Sequence, residues 1–174
     1  MLKFEVKKLD IGSMKTALKK FCLDCKSENI LNNSSIENMK IGRWEKEAWW
    51  VVFHKDKIIS ASGCYQEPMY GESSWRVLVR SATLRQFRGM AGQFSKDLNH
   101  DFCWGAMLPL QKEYAVQHQA KKIFFTTNSS DDGDPHSVRT NRFVSTVLLK
   151  NKRVRLFKGD VDHYNVKQNI WEIV

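Results

Sequence analysis

The sequence predicts a mixed α/β fold, a mostly antiparallel sheet of about six to seven strands with helices on both faces. Three observations carry that prediction. Runs rich in aromatic and β-branched residues, such as EAWWVVFH, WRVLVRSATL and KKIFFTTN, alternate with stretches of helical spacing. Their order is strand, two helices, three strands, a turn and helix, strand, helix and two final strands, so helices sit where crossovers are needed. Hydrophobic residues at 42% and charged residues at 27% are globular proportions, and no repeat, low-complexity tract or linker divides residues 1–174, which reads as one domain.

FEVKKL opens as a strand with Phe4 and Val6 on one face. Asp10 and Ser13 offer caps for a helix over about 14 to 26. The polar stretch SENILNNSSIENMKIGRW breaks at Asn-Asn-Ser-Ser and predicts a second short helix around SIENM. EAWWVVFH and IISASGCY form a hairpin across KDK, with Asp56 at the turn. Strand alternation sends Trp49 and Trp50 to opposite faces, so one of them should meet a helix or an exposed patch. Pro68 ends the third strand. The fourth, WRVLVRSATL, puts Trp75, Val77 and Val79 on one face and Arg76, Leu78 and Arg80 on the other.

After RQFRGMAGQ, residues 91 to 100 read as helix, and DFCWGAMLP interrupts with Gly105 and Pro109. The helix resumes at LPLQKEYAVQHQA, where Leu110, Tyr114, Ala115 and His118 share a face. KKIFFTTN is a short buried strand and SSDDGDPHS a loop. RTNRFVSTVLLKNK is helical, with Phe143, Val147 and Leu148 on one side. RVRLFKGD and VDHYNVKQNIWEIV then read as two strands turning at Lys158-Gly159-Asp160.

The net charge is +9, from 28 Lys and Arg against 19 Asp and Glu, and such a field attracts polyanions and anionic ligands. The basic residues are scattered instead of being gathered on one helix or tail, so nucleic-acid binding is possible but not favoured. No apolar run approaches the ~20 residues that span a bilayer, and MLKFEVKKLD lacks a signal-peptide core, so a soluble, cytoplasmic protein without membrane contact is expected. Of the four cysteines, Cys22 and Cys25 form a C-x-x-C, but no second pair or spaced His pair completes a zinc site. Leu18, Phe21, Cys22 and Cys25 instead share a helical stripe. The expectation is buried thiols, no disulfide and no metal.

The stretch Gln86-Phe87-Arg88-Gly89-Met90-Ala91 follows the fourth strand. A Gly-bearing turn from strand to helix leaves backbone N–H groups free to hold an anion. With the element order, this stretch resembles the GNAT acetyltransferase superfamily, whose fourth strand is followed by Q/R-x-x-G-x-G/A. The resemblance implies a sheet splayed between strands four and five. It also implies acetyl-CoA as cosubstrate and an unidentified amine as acceptor. The cofactor-binding residues would be Ala82, Thr83 and Leu84 at the strand end, Gln86, Phe87, Arg88, Gly89, Met90 and Ala91 in the turn, Asn128 after the fifth strand, and Asn141 on the next helix. Arg85 and Arg88 would add positive charge near the phosphates.

The family helix that carries Asn141 commonly supplies a Tyr that protonates the leaving thiolate. Here Leu148 and Leu149 lie in that region. Tyr164 and His163, and less so Ser145, are the alternatives as acid. Glu67 is the candidate base, with Glu72 or ordered water beside it. Phe102, Trp104 and Met107 are expected in the core, the alternative being an acceptor-side lid. The implied function is an acyl-CoA-dependent N-acetyltransferase acting by direct attack. The missing Tyr and the basic charge favour, as the other reading, a non-catalytic binding module associated with nucleic acid or another partner. Exposed aromatics on the last strands would suit a homodimer.

Overall fold

The computed structural model describes residues 2–30, 41–95, 101–130, 135–163 and 166–174. The helix expected around SIENM lies outside them. Seven strands form one sheet, β1 (Phe4–Lys8), β2 (Ala48–His54), β3 (Lys57–Gln66), β4 (Ser74–Thr83), β5 (Lys122–Asn128), β6 (Val154–His163) and β7 (Val166–Ile173), in the spatial order β1-β2-β3-β4-β5-β7-β6. Only β4 and β5 pair in parallel. β3 is buried without alternation from Ile58 to Tyr65, so both faces of the sheet are covered at its centre.

Helix α1 (Ile11–Ser27) begins three residues before the expected start, because Asp10 caps it by accepting the Gly12 N–H at 3.2 Å. It buries Leu18, Phe21, Cys22 and Cys25, the stripe the spacing predicted. Trp50 packs edge-on against Tyr114 of helix α2 (Leu108–Gln117), with ring centroids 5.7 Å apart. Trp49 is buried too, its indole N–H donating to Glu47 Oε1 at 2.6 Å. Neither tryptophan forms an exposed patch.

Three elements differ from expectation. Residues 91 to 100 do not begin a regular helix: their described part holds one 3₁₀ turn, Ala91–Gln93, which follows another at Arg85–Phe87, in a stretch where Gly89 and Gly92 disfavour an α-helix. DFCWGAMLP is no interruption, since the chain is helical from Phe102 into α2 through a wide π turn, Cys103–Met107. Pro109 has no N–H to give the Gly105 carbonyl, and the wide turn absorbs that missing bond. Lys158-Gly159-Asp160 lies inside β6 as an irregularity in pairing, not at a hairpin tip. Asn169 Oδ1 holds that irregularity by accepting the Asp160 N–H at 3.0 Å.

The sheet opens between β4 and β5. They pair only through Ser74↔Lys122, Trp75↔Ile123 and Arg76↔Phe124, while β5 stays paired with β7 as far as Asn128↔Gln168. Two residues of β4, Leu78 and Arg80, take left-handed backbone (φ 56 and 47), and the β3–β4 register slips beside them. These bulges turn the strand away from β5.

Candidate active site

The wedge between β4 and β5 is a cleft of about 490 Å³. Its walls come from β4 (Arg76, Leu78, and residues 80 to 83), β5 (Phe125, Thr126), the turn at Arg88 and Gly89, the start of the α2 segment (Asp101, Cys103, Trp104), helix α3 (Pro135–Phe143) through Arg139, Thr140 and Phe143, and Gln168 of β7. Four arginines and one aspartate give the lining a positive balance.

Of the expected cofactor residues, Ala82, Thr83, Arg88 and Gly89 line this cleft. Gly89 adopts φ 76, a conformation side chains rarely take, and a Cβ there would meet nothing within 4 Å. Its amide has no acceptor among the described residues. The Arg88 Nε donates to the Thr83 carbonyl at 3.3 Å, which ties the turn to the strand end. Leu84 and Ala91 are fully buried, Phe87 packs against Phe4 and His54, and Gln86 and Met90 are exposed; none of these five lines the cleft. Arg85 is exposed, and its amide donates to Glu28 Oε2 at 2.8 Å. Asn128 and Asn141 meet each other: Asn141 Nδ2 donates to the Asn128 carbonyl at 3.1 Å and Asn128 Nδ2 to Ser137 Oγ at 2.8 Å, outside the cleft lining.

The sequence reading missed Asp101. Its Oδ1 accepts the N–H groups of Cys103 at 2.8 Å and Trp104 at 3.0 Å, so the N-terminal amides of the α2 segment are spent on a carboxylate. The N–H groups at the start of the α2 segment are thus already satisfied, and the turn at Gly89 that the motif picks out is a separate part of the cleft wall, with Arg88 and Arg139 beside it. Burial pushes the Asp101 carboxyl up, against the pull of those two amides and two guanidiniums. Phe102 and Met107 are core residues, whereas Trp104 lines the cleft and packs edge-on against Phe125 and Phe143.

Glu67 is buried instead of lying in an exposed loop. Its Oε1 accepts the Met69 N–H at 3.2 Å and its Oε2 the Tyr65 hydroxyl at 3.2 Å, while Arg76 Nη1 donates to that hydroxyl at 3.3 Å. Glu67 does not line the cleft itself, and Tyr65 and Arg76 connect it to the cleft wall. Glu72 contributes its carbonyl to Gln66 Nε2 at 2.9 Å. Ser145 Oγ donates to the Arg142 carbonyl at 3.1 Å, a local helical bond. Tyr164 lies outside the described residues, and of His163 only the backbone, paired with Val166, is described. The four cysteines are buried and free, and no described helix is long and apolar enough to cross a membrane.

No protein-family model matches the sequence, and no curated protein is similar to it. Solved structures match over almost the whole chain. An acetyltransferase of the GNAT family from Staphylococcus aureus Mu50 aligns with a TM-score of 0.63 at 11% identity, covering 98% of both chains. A putative N-acetyltransferase from Lactobacillus plantarum gives 0.57 at 14% identity, over 98% of this chain and 97% of the other. The aminoglycoside 6'-N-acetyltransferase from Enterococcus faecium gives 0.59 at 13%, over 97% and 94%. Identities this low speak for the backbone alone. The strand order, the parting of β4 from β5 and these alignments agree that the chain has the fold of the GNAT acetyltransferases.

Proposed function

We propose that the protein is an N-acetyltransferase that uses acetyl-CoA to acylate an amine. One observation carries the reading: the parting of β4 from β5 beyond Arg76 and Phe124, which opens a cleft with Arg88, Gly89 and Arg139 along its wall. Acetyl-CoA would supply an activated acyl group, whose C–S bond breaks as the amine nitrogen forms C–N. Arg88, Arg139 and the open turn at Gly89 suit a pyrophosphate, by charge and by free space. The edge of β4 at residues 81 to 83, no longer paired with β5, suits the amides of a pantetheine arm. Ala82 keeps that edge low. We assign proton removal from the amine to Glu67, acting through the Tyr65 hydroxyl, and proton return to the departing thiolate to Tyr164 or His163.

A second reading, an acyl-CoA-binding domain without turnover, has one observation in its favour. The amide of Leu78, on the bulged stretch of β4, is already bonded to Gln111 Oε1 at 2.8 Å and is not free to polarise a thioester carbonyl.

Thermal unfolding with and without acetyl-CoA tests the binding, since ligand at a hundredfold over its dissociation constant contributes about 2.7 kcal/mol. No shift at millimolar ligand would sink both readings. Gly89→Glu should abolish the shift by placing bulk and negative charge in the turn. Release of CoA thiol with a panel of amines separates the readings, and Glu67→Gln should lower that rate while leaving the thermal shift intact.

A further inference from the structure

The cleft has a second group of cations that the phosphate turn does not explain. Arg76 stands at its closed end, in the last residue pair that joins β4 to β5. Arg80 lies four residues further along β4, half-buried in left-handed backbone. Arg43 is exposed just before β2, its guanidinium 5.7 Å from the Trp44 ring, which itself stacks on Tyr65 at 4.5 Å. Arg88, by contrast, follows the end of the strand: at about 3.3 Å per residue Arg76 lies at most ~23 Å from Thr83, less across the bulges, with Arg80 between them. One pyrophosphate does not reach both ends.

The described hydrogen-bond partners of Arg76 are neutral. Arg76 donates from Nη2 to Thr126 Oγ1 at 2.8 Å and from Nη1 to Tyr65 Oη at 3.3 Å. Arg80 makes no hydrogen bond or ion pair among the described residues. Burial, then the like charges of Arg76 and Arg43, press its guanidinium pKa down, with Tyr65 acting the other way and no carboxylate doing so among the described residues. Among the described residues the carboxylate that lines the cleft, Asp101, acts on Arg88 and Arg139. Gln168 lines the same cleft, and its Oε1 is buried without a hydrogen-bond partner among the described residues; as an acceptor it suits an N–H of a ligand, such as its ammonium, and not the anion. Half-buried guanidiniums that have no counter-charge among the described residues are favoured when an anion joins them.

We propose that Arg76 and Arg80 form a subsite for an anionic group on the acceptor, a carboxylate or a phosphate, so that the acceptors are small amines carrying such a group. Both anions match the planar guanidinium fork. The word acceptor rests on the acetyltransferase reading above; the anion subsite does not.

The test uses pairs that differ only in the anion: phenylalanine against phenylalaninamide for the carboxylate, and O-phosphoethanolamine against ethanolamine for the phosphate. Acetylation is followed by CoA release, and binding of the same four compounds to the free protein by ligand-observed NMR. At least one anionic member should be acetylated and bound tenfold or more better than its neutral twin. Arg80→Gln should level that pair through KM, and Arg80→Lys should restore part of the difference. Acetyl-CoA binding should stay unchanged in both variants. Arg43→Gln, an exposed arginine close enough to act on Arg80, gives a weaker loss in case the Arg80 variants fold poorly. Acetylation or binding without preference for any anionic member overturns the subsite while leaving the enzyme reading intact. So does a preference that Arg80→Gln leaves unaltered. Selective anion binding lost in Arg80→Gln, with no acetyl-CoA binding, overturns the enzyme reading and upholds the subsite.

Discussion

Gln111 Oε1 accepts the backbone N–H of Leu78 at 2.8 Å, in the bulge that bends β4 away from β5. The same side chain, fully buried, donates from Nε2 to Ser62 Oγ at 2.8 Å, and Ser62 meets Ser81 at 2.7 Å. A helix side chain thereby satisfies a strand amide that the sheet ladder has abandoned. Gln111→Met keeps the volume and removes both bonds, leaving the half-buried Leu78 amide without its acceptor. The expected loss is about 1 to 3 kcal/mol, read as a lower urea midpoint at unchanged slope. A loss near zero would show that the bulge does not depend on Gln111.

Gly63 lies under the Trp49 indole. A Cβ at that position would stand 2.7 Å from Trp49 Cε2, and the indole is pinned by its hydrogen bond to Glu47. Gly63→Ala should therefore cost about 1 to 3 kcal/mol through overpacking, seen in chemical denaturation, with a change in tryptophan fluorescence as the ring is displaced. Unaltered stability and fluorescence would mean that the indole moves freely.

The strands were legible because their signal is local. EAWWVVFH and WRVLVRSATL carry β-branched and aromatic residues in unbroken runs, and a sheet with covered faces needs little more. Gly89 was legible too, since a turn that demands positive φ leaves a glycine in the sequence. What stayed hidden depends on contacts between distant residues. Asp101 read as one more polar residue before an aromatic run, and only the fold brings Arg88 and Arg139 close enough to act on it. Arg76 and Arg80 read as the polar face of a strand until β5 parted from that face. Pro109 read as a helix breaker, whereas the π turn before it lets the helix continue.

Asp101 offers a test by pH. Burial raises its folded carboxyl pKa above the ordinary value of 3.8. A carboxyl raised on folding contributes most below the unfolded value, and that contribution is lost as pH rises through the folded one. At neutral pH the charged side chain is therefore a net burden. Asp101→Asn removes the charge and keeps an oxygen for the Cys103 and Trp104 amides. It should unfold at a higher temperature than the parent near pH 7, with the advantage shrinking as pH falls through the raised folded pKa and the parent carboxyl takes up its proton. An advantage that grows on acidification would show that the two arginines outweigh burial.

The cysteines supply the last prediction, and it bears on any thiol-release assay. Burial pushes the thiols of Cys25, Cys64 and Cys103 up to about 12 and that of Cys22 to about 11. Only the thiolate attacks a disulfide reagent, so at pH 8 the reactive fraction at each site is roughly one in a thousand or less. Exposure of 5% or below adds a steric barrier. The folded protein should react with Ellman's reagent at least a hundredfold more slowly than the guanidinium-unfolded chain, which presents all four thiols. Rapid labelling of one equivalent in the folded state would point to local opening; Cys103 is the first to inspect, because it alone of the four lines the cleft and protection by acetyl-CoA would single it out.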